Sequence, residues 1–295
     1  MSLTVVAGGL GAVGRMLHRE LGGDLGRIVD IDPRRGIGAG DITALDPVEC
    51  DLLRNASTVV LAVPGPVALA ALPSVTQLLR ADALLVETLS VKSRIAEAIA
   101  REDLPFEVVG VNPMFGPSLG MAGRAVAVVP YLAGERTSWF TSLIVARGAQ
   151  IVELSSETHD RTAAALQALP HVLILAFARV LADCELDVES ALRIAPPPAR
   201  AILALAARMA GGNPEVYGEI QAANPFAQAA RESLDRAVAE VMEACIDTDA
   251  LGGLLAAVRF ELGDSHSGLL RAAERLVCEQ QLRVELQAAG AVRPR

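Results

Sequence analysis

The hydrophobic and polar positions of the first 154 residues follow two alternating periods. Short runs rich in valine, isoleucine and leucine predict seven strands: Leu3–Ala7, Arg27–Ile31, Thr58–Val63, Ala83–Glu87, Glu107–Val111, Ala125–Pro130 and Gln150–Leu154. Between several of them, segments such as Val13–Leu21 and Val67–Leu79 carry apolar residues at helical spacing. Strands that alternate with helices in this way predict an α/β fold with a doubly wound parallel sheet.

From about Ser155 the pattern changes. Strand-like runs disappear, and Ala/Leu/Arg/Glu-rich segments at helical spacing continue between clusters of proline and glycine. We therefore predict an α/β domain over residues 1–154 and an all-helical domain over residues 155–295. The apolar stretch Ala163–Ala182 is long enough to span a bilayer, but it contains Gln167, Pro170, His171 and Arg179. We interpret it as a buried helix of the second domain.

Composition narrows the possible partners. The chain has 26 basic and 35 acidic residues, a net charge of −9, and 52% hydrophobic residues, which disfavours a general nucleic-acid or membrane surface and favours two folded domains. Four dispersed cysteines without metal-ligand spacing are expected to be buried and reduced, and no metal site is indicated. Without a recognisable signal peptide, a cytoplasmic protein is expected. Lys92 is the single lysine.

A glycine-rich turn between the first strand and the first helix predicts a Rossmann-type dinucleotide site. The residues of the motif G-x-G-x-x-G are Gly9, Leu10, Gly11, Ala12, Val13 and Gly14. Asp32 lies 18 residues after Gly14, where a carboxylate binds ribose hydroxyls and favours NAD over NADP. Asp30 remains an alternative, and Arg34 and Arg35 could tolerate a 2′-phosphate. Val63 and Pro64, at a later strand end, are expected beneath the cofactor.

Several motifs occur in the order typical of one enzyme family. They are GGLGAVGRM at Gly8–Met16, VLAVP at Val60–Pro64, LSVK at Leu89–Lys92, GVNPMFGP at Gly110–Pro117, and the segment Glu157–His171. Arg200, Arg208, Asn213-Pro214 and Tyr217 continue the pattern. On these residues the chain resembles the prephenate dehydrogenase family. The resemblance implies a nucleotide-binding domain, a helical dimerisation domain and hence a homodimer.

The resemblance also implies an oxidative decarboxylation of a cyclohexadiene dicarboxylate, in which hydride leaves C4 and carbon dioxide leaves C1. It assigns catalysis to Ser90, Lys92 and the position of Asn112. It assigns the substrate to Arg208, Arg200, Gln167, His171 and Tyr217. Gln167 and His171 are one helical turn apart, and two arginines eight residues apart share a helix face. For His159-Asp160, a capping or packing role at a helix start is at least as strong an interpretation.

Asn112 departs from the family pattern, which has histidine at this position. An amide cannot take a proton near neutral pH, so the protein either oxidises prephenate slowly, or has lost catalysis, or acts on a substrate that needs no base. The third hypothesis is the simplest. An amino group at C4 can expel hydride with its own lone pair, which points to 4-amino-4-deoxyprephenate, its product 4-aminophenylpyruvate, and antibiotic biosynthesis.

The sequence is also compatible with other classes of protein. The alternatives are a prephenate dehydrogenase of tyrosine biosynthesis and a catalytically inactive NAD-binding homologue. Dehydrogenases of 3-hydroxyacids and imines share the glycine-rich turn and a helical second domain. They are expected to carry a different segment in place of Asn112–Pro117, and they do not explain the two arginines.

Overall fold

A computed structural model describes residues 2–32, 40–184 and 187–275 of the chain. The strands are β1 (Leu3–Ala7), β2 (Arg27–Ile31), β3 (Thr58–Leu61), β4 (Leu84–Glu87), β5 (Glu107–Pro113), β6 (Ala125–Leu132) and β7 (Gln150–Glu153). The α-helices include α1 (Ala12–Leu21), α2 (Pro47–Asn55), α3 (Gly65–Leu78), α4 (Ser93–Ala100), α5 (Glu135–Ala146), α6 (Ser156–Ala163), α7 (Leu169–Asp183), α8 (Val188–Ile194), α9 (Pro197–Ala210), α10 (Pro214–Ala222), α11 (Ala227–Ala244) and α12 (Thr248–Leu262), and residues 266–275 are also helical. All seven predicted strands are confirmed, with ends that shift by one or two residues.

The strands form one sheet in the order β2-β1-β3-β4-β5-β6-β7. The predicted doubly wound parallel sheet is confirmed for β1–β5, whereas β6 runs antiparallel to β5 and β7 runs parallel to β6. A parallel connection needs a long crossover, usually a helix. Between Pro113 and Ala125 the chain has only a short 3₁₀ turn at Pro117–Leu119, so it returns alongside β5 in the opposite direction.

Both faces of the sheet are covered at its centre, which explains why β1, β3 and β4 are nearly continuous apolar runs. Val5 and Val6 are fully buried neighbours on β1 that belong to opposite sides. The Val5 side packs with residues of α2, α3 and α4, and the Val6 side packs with residues of α1 and α5. The carboxyl ends of β1, β3 and β4 therefore lie side by side on a rigid layer, and the chain order reverses between β1 and β3.

The chain divides into two compact units. The first comprises residues 1–168 and 213–228, and the second comprises residues 169–212 and 229–295. Strand β7 ends at Glu153 and helix α6 begins at Ser156. This is close to Ser155, where the sequence pattern changes from alternating strands and helices to helices alone. The first unit nevertheless also contains α6 and α10, so the domain boundary at residue 154 stays a prediction.

Helix α7 is not the buried helix that the sequence suggested. In the single chain none of its residues is buried, and Leu173, Leu175 and Val180 are about half exposed. Within the helical stretch Ser156–Asp183, an 18-residue window has a mean hydropathy of 1.7, so the stretch could cross a membrane by length and composition alone, a test that core helices of soluble proteins also pass. The cysteines depart from expectation as well, since Cys184 and Cys245 are exposed and Cys50 is half-buried, while Cys278 lies outside the described residues.

Candidate cofactor and active site

In the turn after β1, a Cβ atom would meet backbone at Gly14 and the Asp30 side chain at Gly9. A Cβ atom on Gly14 would lie 2.4 Å from the carbonyl oxygen of Gly8, and one on Gly9 would lie 2.0 Å from Oδ1 of Asp30. Helix α1 then begins at Ala12 without a side-chain cap and without an acidic residue in its first turn. The free N–H groups and the positive end of the helix dipole suit a pyrophosphate at this position.

The two candidate carboxylates at the end of β2 have different neighbours. Asp32 is 1% exposed, and its Oδ2 accepts a hydrogen bond of 2.9 Å from the N–H of Leu10 within the glycine-rich turn. Asp30 instead has Oδ1 2.6 Å from Nε2 of His18 on α1. Asp32 lines the neighbouring cavity and Asp30 does not. Arg34 and Arg35, which could meet a 2′-phosphate, lie outside the described residues.

A cavity of about 570 Å³ opens at the carboxyl ends of β1, β2, β3 and β4 in the first unit. Its lining brings together several of the predicted residues: Gly11, Ala12, Val13, Asp32, Val63, Pro64 and Ser90. Its volume is in the range of sites for cofactors and small ligands. The glycine cradle, the helix N-terminus and a buried carboxylate are donor and acceptor groups that fit a dinucleotide, so these residues could hold NAD.

Asn112 belongs to a buried chain of polar side chains. Its Nδ2 lies 3.0 Å from Nε2 of His159 on α6, and Nδ1 of His159 lies 2.7 Å from Oδ1 of Asp160. Asp160 also accepts hydrogen bonds from the backbone N–H groups of Lys92 and Ser93, each 2.8 Å long, and from Oγ of Ser93. Burial raises the pKa of Asp160, but hydrogen bonds from His159, Ser93 and Lys92 outweigh it and hold that pKa below its usual value.

Lys92 is the centre of a second buried cluster. Its Nζ lies 2.8 Å from Oε1 of Glu87, and the two side chains are 0% and 1% exposed. Glu87 also accepts hydrogen bonds from the hydroxyl of Tyr131 and the N–H of Leu89. Burial lowers the pKa of Lys92 and raises that of Tyr131 well above its usual value. Because the ammonium group is enclosed by protein, the geometry favours a supporting role, and contact between Lys92 and substrate stays a prediction.

The other predicted substrate residues lie on four elements. Gln167 lies in a π-helical turn, Ala164–Ala168, its Nε2 is 3.9 Å from Sδ of Met114, and its buried Oε1 has no hydrogen-bond partner in the described part of the chain. The π turn interrupts the regular spacing expected between Gln167 and His171, which lies on α7, and burial lowers the pKa of His171. The remaining residues are Tyr217 on α10, and Arg200 and exposed Arg208 on α9.

Sequence reasoning did not show which groups His159 and Asp160 contact, and it missed Glu87. His159 reaches Asn112 across 47 residues of sequence, and Asp160 reaches Lys92 across 68 residues. Only the fold reveals such pairs. A usable signal for Glu87 was present, because a carboxylate that ends an apolar strand needs a buried partner, and the single lysine follows five residues later.

The doubly wound sheet, the glycine-rich turn and the cavity at the strand ends define a dinucleotide-binding oxidoreductase. Residues 14–129 match the family described as "Prephenate dehydrogenase, nucleotide-binding domain", and residues 155–258 match "Prephenate dehydrogenase, dimerization domain". The chain belongs to the prephenate dehydrogenase family.

Two curated relatives differ in how much they share with the chain. It is 41% identical to a 4-amino-4-deoxyprephenate dehydrogenase of Streptomyces pristinaespiralis, over 92% of this chain and 95% of that protein. It is 30% identical to the T-protein of Enterobacter agglomerans over 73% of this chain, which spans 55% of that longer protein.

Solved structures share the fold. Prephenate dehydrogenase from A. aeolicus, in complex with hydroxyphenyl propionate and NAD+, superimposes with a TM-score of 0.64 at 18% identity and covers 99% of both chains. Synechocystis arogenate dehydrogenase gives a TM-score of 0.60 at 20% identity, covering 88% of this chain and 98% of that one. At these identities the likeness concerns the fold.

Proposed function

We propose that the protein catalyses the NAD-dependent oxidative decarboxylation of 4-amino-4-deoxyprephenate to 4-aminophenylpyruvate and carbon dioxide. The observation that carries the proposal is the 41% identity, over nearly the full length of both chains, to an enzyme named for that substrate. Asn112 in place of the family's histidine supports it independently. The product is a precursor for p-aminophenylalanine, which fits a role in antibiotic biosynthesis.

In this reaction the C4–H bond breaks and its electron pair leaves as hydride while the nitrogen lone pair forms a C=N bond. The C1–carboxylate bond then breaks, its electrons make the ring aromatic, and the lone pair returns to nitrogen. NAD, when bound, accepts the hydride. The substrate nitrogen supplies the electron push that a hydroxyl supplies poorly, so a neutral hydrogen-bond acceptor such as the Asn112 amide is sufficient beside it.

The remaining assignments follow the resemblance and are part of the proposal. Ser90 and Lys92 are assigned to catalysis together with Asn112. The two carboxylates of the substrate bind to cations and hydrogen-bond donors among Arg208, Arg200, Gln167, His171 and Tyr217. The buried Oε1 of Gln167, which has no partner among the described residues, supports contact with a hydrogen-bond donor of the ligand, because a buried acceptor without a partner is costly; only Nε2 of Gln167 could bind a carboxylate.

We also propose that the protein is a cytoplasmic homodimer formed through its second unit. The family description of residues 155–258 as a dimerization domain supports this proposal. Large apolar side chains of that unit are highly exposed in the single chain, including Ile194, Ile246 and Phe260, at 86–87% each. Apolar surface of this extent is typical of an interface.

The first test compares two substrates. Purified protein with NAD is expected to turn over 4-amino-4-deoxyprephenate with a higher kcat/KM than prephenate, followed as NADH absorbance. Preference for prephenate would instead indicate a dehydrogenase of tyrosine biosynthesis. Cofactor binding without turnover of either compound would indicate the inactive homologue.

The second test concerns cofactor preference. Asp32→Ala is expected to lower kcat/KM for NAD by about 10- to 100-fold, the cost of losing a hydrogen bond to a charged group. The value of kcat/KM for NADP should fall less, because the carboxylate that repels its 2′-phosphate is removed. The measurement is the ratio of kcat/KM values for the two cofactors. Asp51→Ala, at a carboxylate 72% exposed on α2, is the matched control and should leave the ratio unchanged.

A further inference from the structure

We propose that His159 is a positioning residue, which orients the side-chain amide of Asn112 for the amino substrate. In this assignment His159 holds Nδ2 of Asn112, and Oδ1 is left to accept a hydrogen bond from the substrate N–H. The inference deepens the proposed function and rests on it. It is carried by the buried contacts from Asn112 through His159 to Asp160.

The first step is the charge state of Asp160. Its side chain is fully buried and receives hydrogen bonds from two backbone N–H groups and from the hydroxyl of Ser93. These donors point at both oxygens, so the carboxyl group is used as an acceptor at each one. An ionised carboxylate only accepts, and the fourth neighbour, Nδ1 of His159 at 2.7 Å, therefore carries a proton.

The second step is the state of the other ring nitrogen. The proposal assigns His159 the neutral imidazole with its proton on Nδ1, in which Nε2 has a free lone pair and can only accept. The Asn112 nitrogen Nδ2 lies 3.0 Å from it, and an amide oxygen at that distance would place two acceptors against each other. Asn112 and His159 are 5% and 1% exposed, so turning the amide would leave a buried polar group facing an unsuitable partner. The amide is therefore locked in one orientation.

The third step links that orientation to the chemistry. The nitrogen at C4 of the substrate has N–H donors and one lone pair, and the lone pair must be free to expel hydride. Oδ1 of Asn112 accepts from an N–H and leaves the lone pair available. A reversed amide would instead donate from Nδ2 to that lone pair and hold back the electrons that the reaction needs. Asparagine at this position thus requires a partner that fixes its orientation.

The test is a double-mutant cycle between the two residues. His159→Asn retains an amide near Asp160 but is too short to reach Asn112. It is expected to lower kcat with the 4-amino substrate by about 10- to 100-fold, a typical coupling between contacting residues, with KM changed less than about 3-fold. His159→Gln keeps an acceptor at the end of the side chain and should restore kcat to within about 5-fold. In an Asn112→Ala background, His159→Asn should change kcat by less than about 3-fold.

The controls separate positioning from folding. His266→Asn, at a histidine of the second unit, should leave kcat unchanged, and melting temperatures identify variants that fail to fold. If His159→Asn lowers kcat by the same factor with and without the Asn112 amide, His159 acts through the general structure of the protein and the inference is overturned.

A second measurement needs no variant to be active. The ¹⁵N NMR shifts of the His159 ring in labelled protein, assigned by their loss in His159→Gln, should show a protonated Nδ1 and an unprotonated Nε2. A protonated Nε2 would falsify the inference. Failure of the unsubstituted protein to turn over the 4-amino substrate overturns the proposed function instead, and the ring measurement still reports on the geometry.

Discussion

Lys92→Met is expected to lower the free energy of unfolding by about 3–5 kcal/mol, the usual cost of removing one partner of a buried ion pair. Glu87 stays in the interior with its charge uncompensated, since among the described residues the Tyr131 hydroxyl and the Leu89 N–H remain as its partners. The loss should be measured by urea denaturation. Methionine is chosen because it fills a similar volume without the charge.

Two controls make this expectation specific. Arg54→Met removes one partner of the exposed Arg54–Asp51 pair, whose side chains are 55% and 72% exposed, and should change stability by less than about 0.5 kcal/mol. The double variant Lys92→Met with Glu87→Gln removes both charges and should recover most of the loss, because a hydrogen-bonding neutral group replaces the stranded carboxylate. A loss for Lys92→Met no larger than that of Arg54→Met contradicts the buried pair.

The conservative variant distinguishes charge from shape. Lys92→Arg keeps the positive charge but introduces a larger, forked head into a site with no exposed surface. Overpacking of this kind costs about 1–3 kcal/mol and shifts the surrounding backbone. Because the backbone N–H of Lys92 holds Asp160, impaired substrate use by this variant is expected through the positioning of Asp160 and His159.

The fold was largely predictable because its signals are local. The central strands of this sheet are buried on both faces and so appear as apolar runs. The glycine-rich turn and Asp32 lie within one strand–helix–strand segment. The direction of β6 was not predictable from periodicity, since side chains alternate equally in parallel and antiparallel strands. The exposure of α7 was missed for a related reason: an apolar helix has the same sequence whether the chain itself or another molecule covers it.

The active site was only partly predictable. Motif resemblance identified Asn112 and Lys92, but a sequence does not show which buried groups meet. The enclosure of Lys92 depends on Glu87 and Tyr131, which come from β4 and β6, on either side of β5. The orientation of Asn112 depends on a helix that begins 43 residues after β5 ends. Both clusters result from the tertiary fold.

Asn112→His is expected to raise kcat/KM for prephenate by about 100-fold or more, since a positioned general base contributes about 10²- to 10⁴-fold. The ring N–H of the introduced imidazole can donate to Nε2 of His159, which Nδ2 of Asn112 now contacts at 3.0 Å. The other ring nitrogen then presents a lone pair to the C4 hydroxyl as hydride departs. The ratio of kcat/KM for the amino substrate to that for prephenate should fall correspondingly.

The matched control is Asn112→Ala, which removes the amide without supplying a base and should not raise prephenate turnover. The gain should also depend on His159, because without an acceptor at Nε2 the introduced ring is free to turn its N–H towards the substrate. Asn112→His combined with His159→Asn is therefore expected to lose most of the improvement, about 10-fold or more. No gain with prephenate in the single variant counts against loss of the base as the origin of substrate choice, and an undiminished gain in the double variant counts against His159 as the residue that orients position 112.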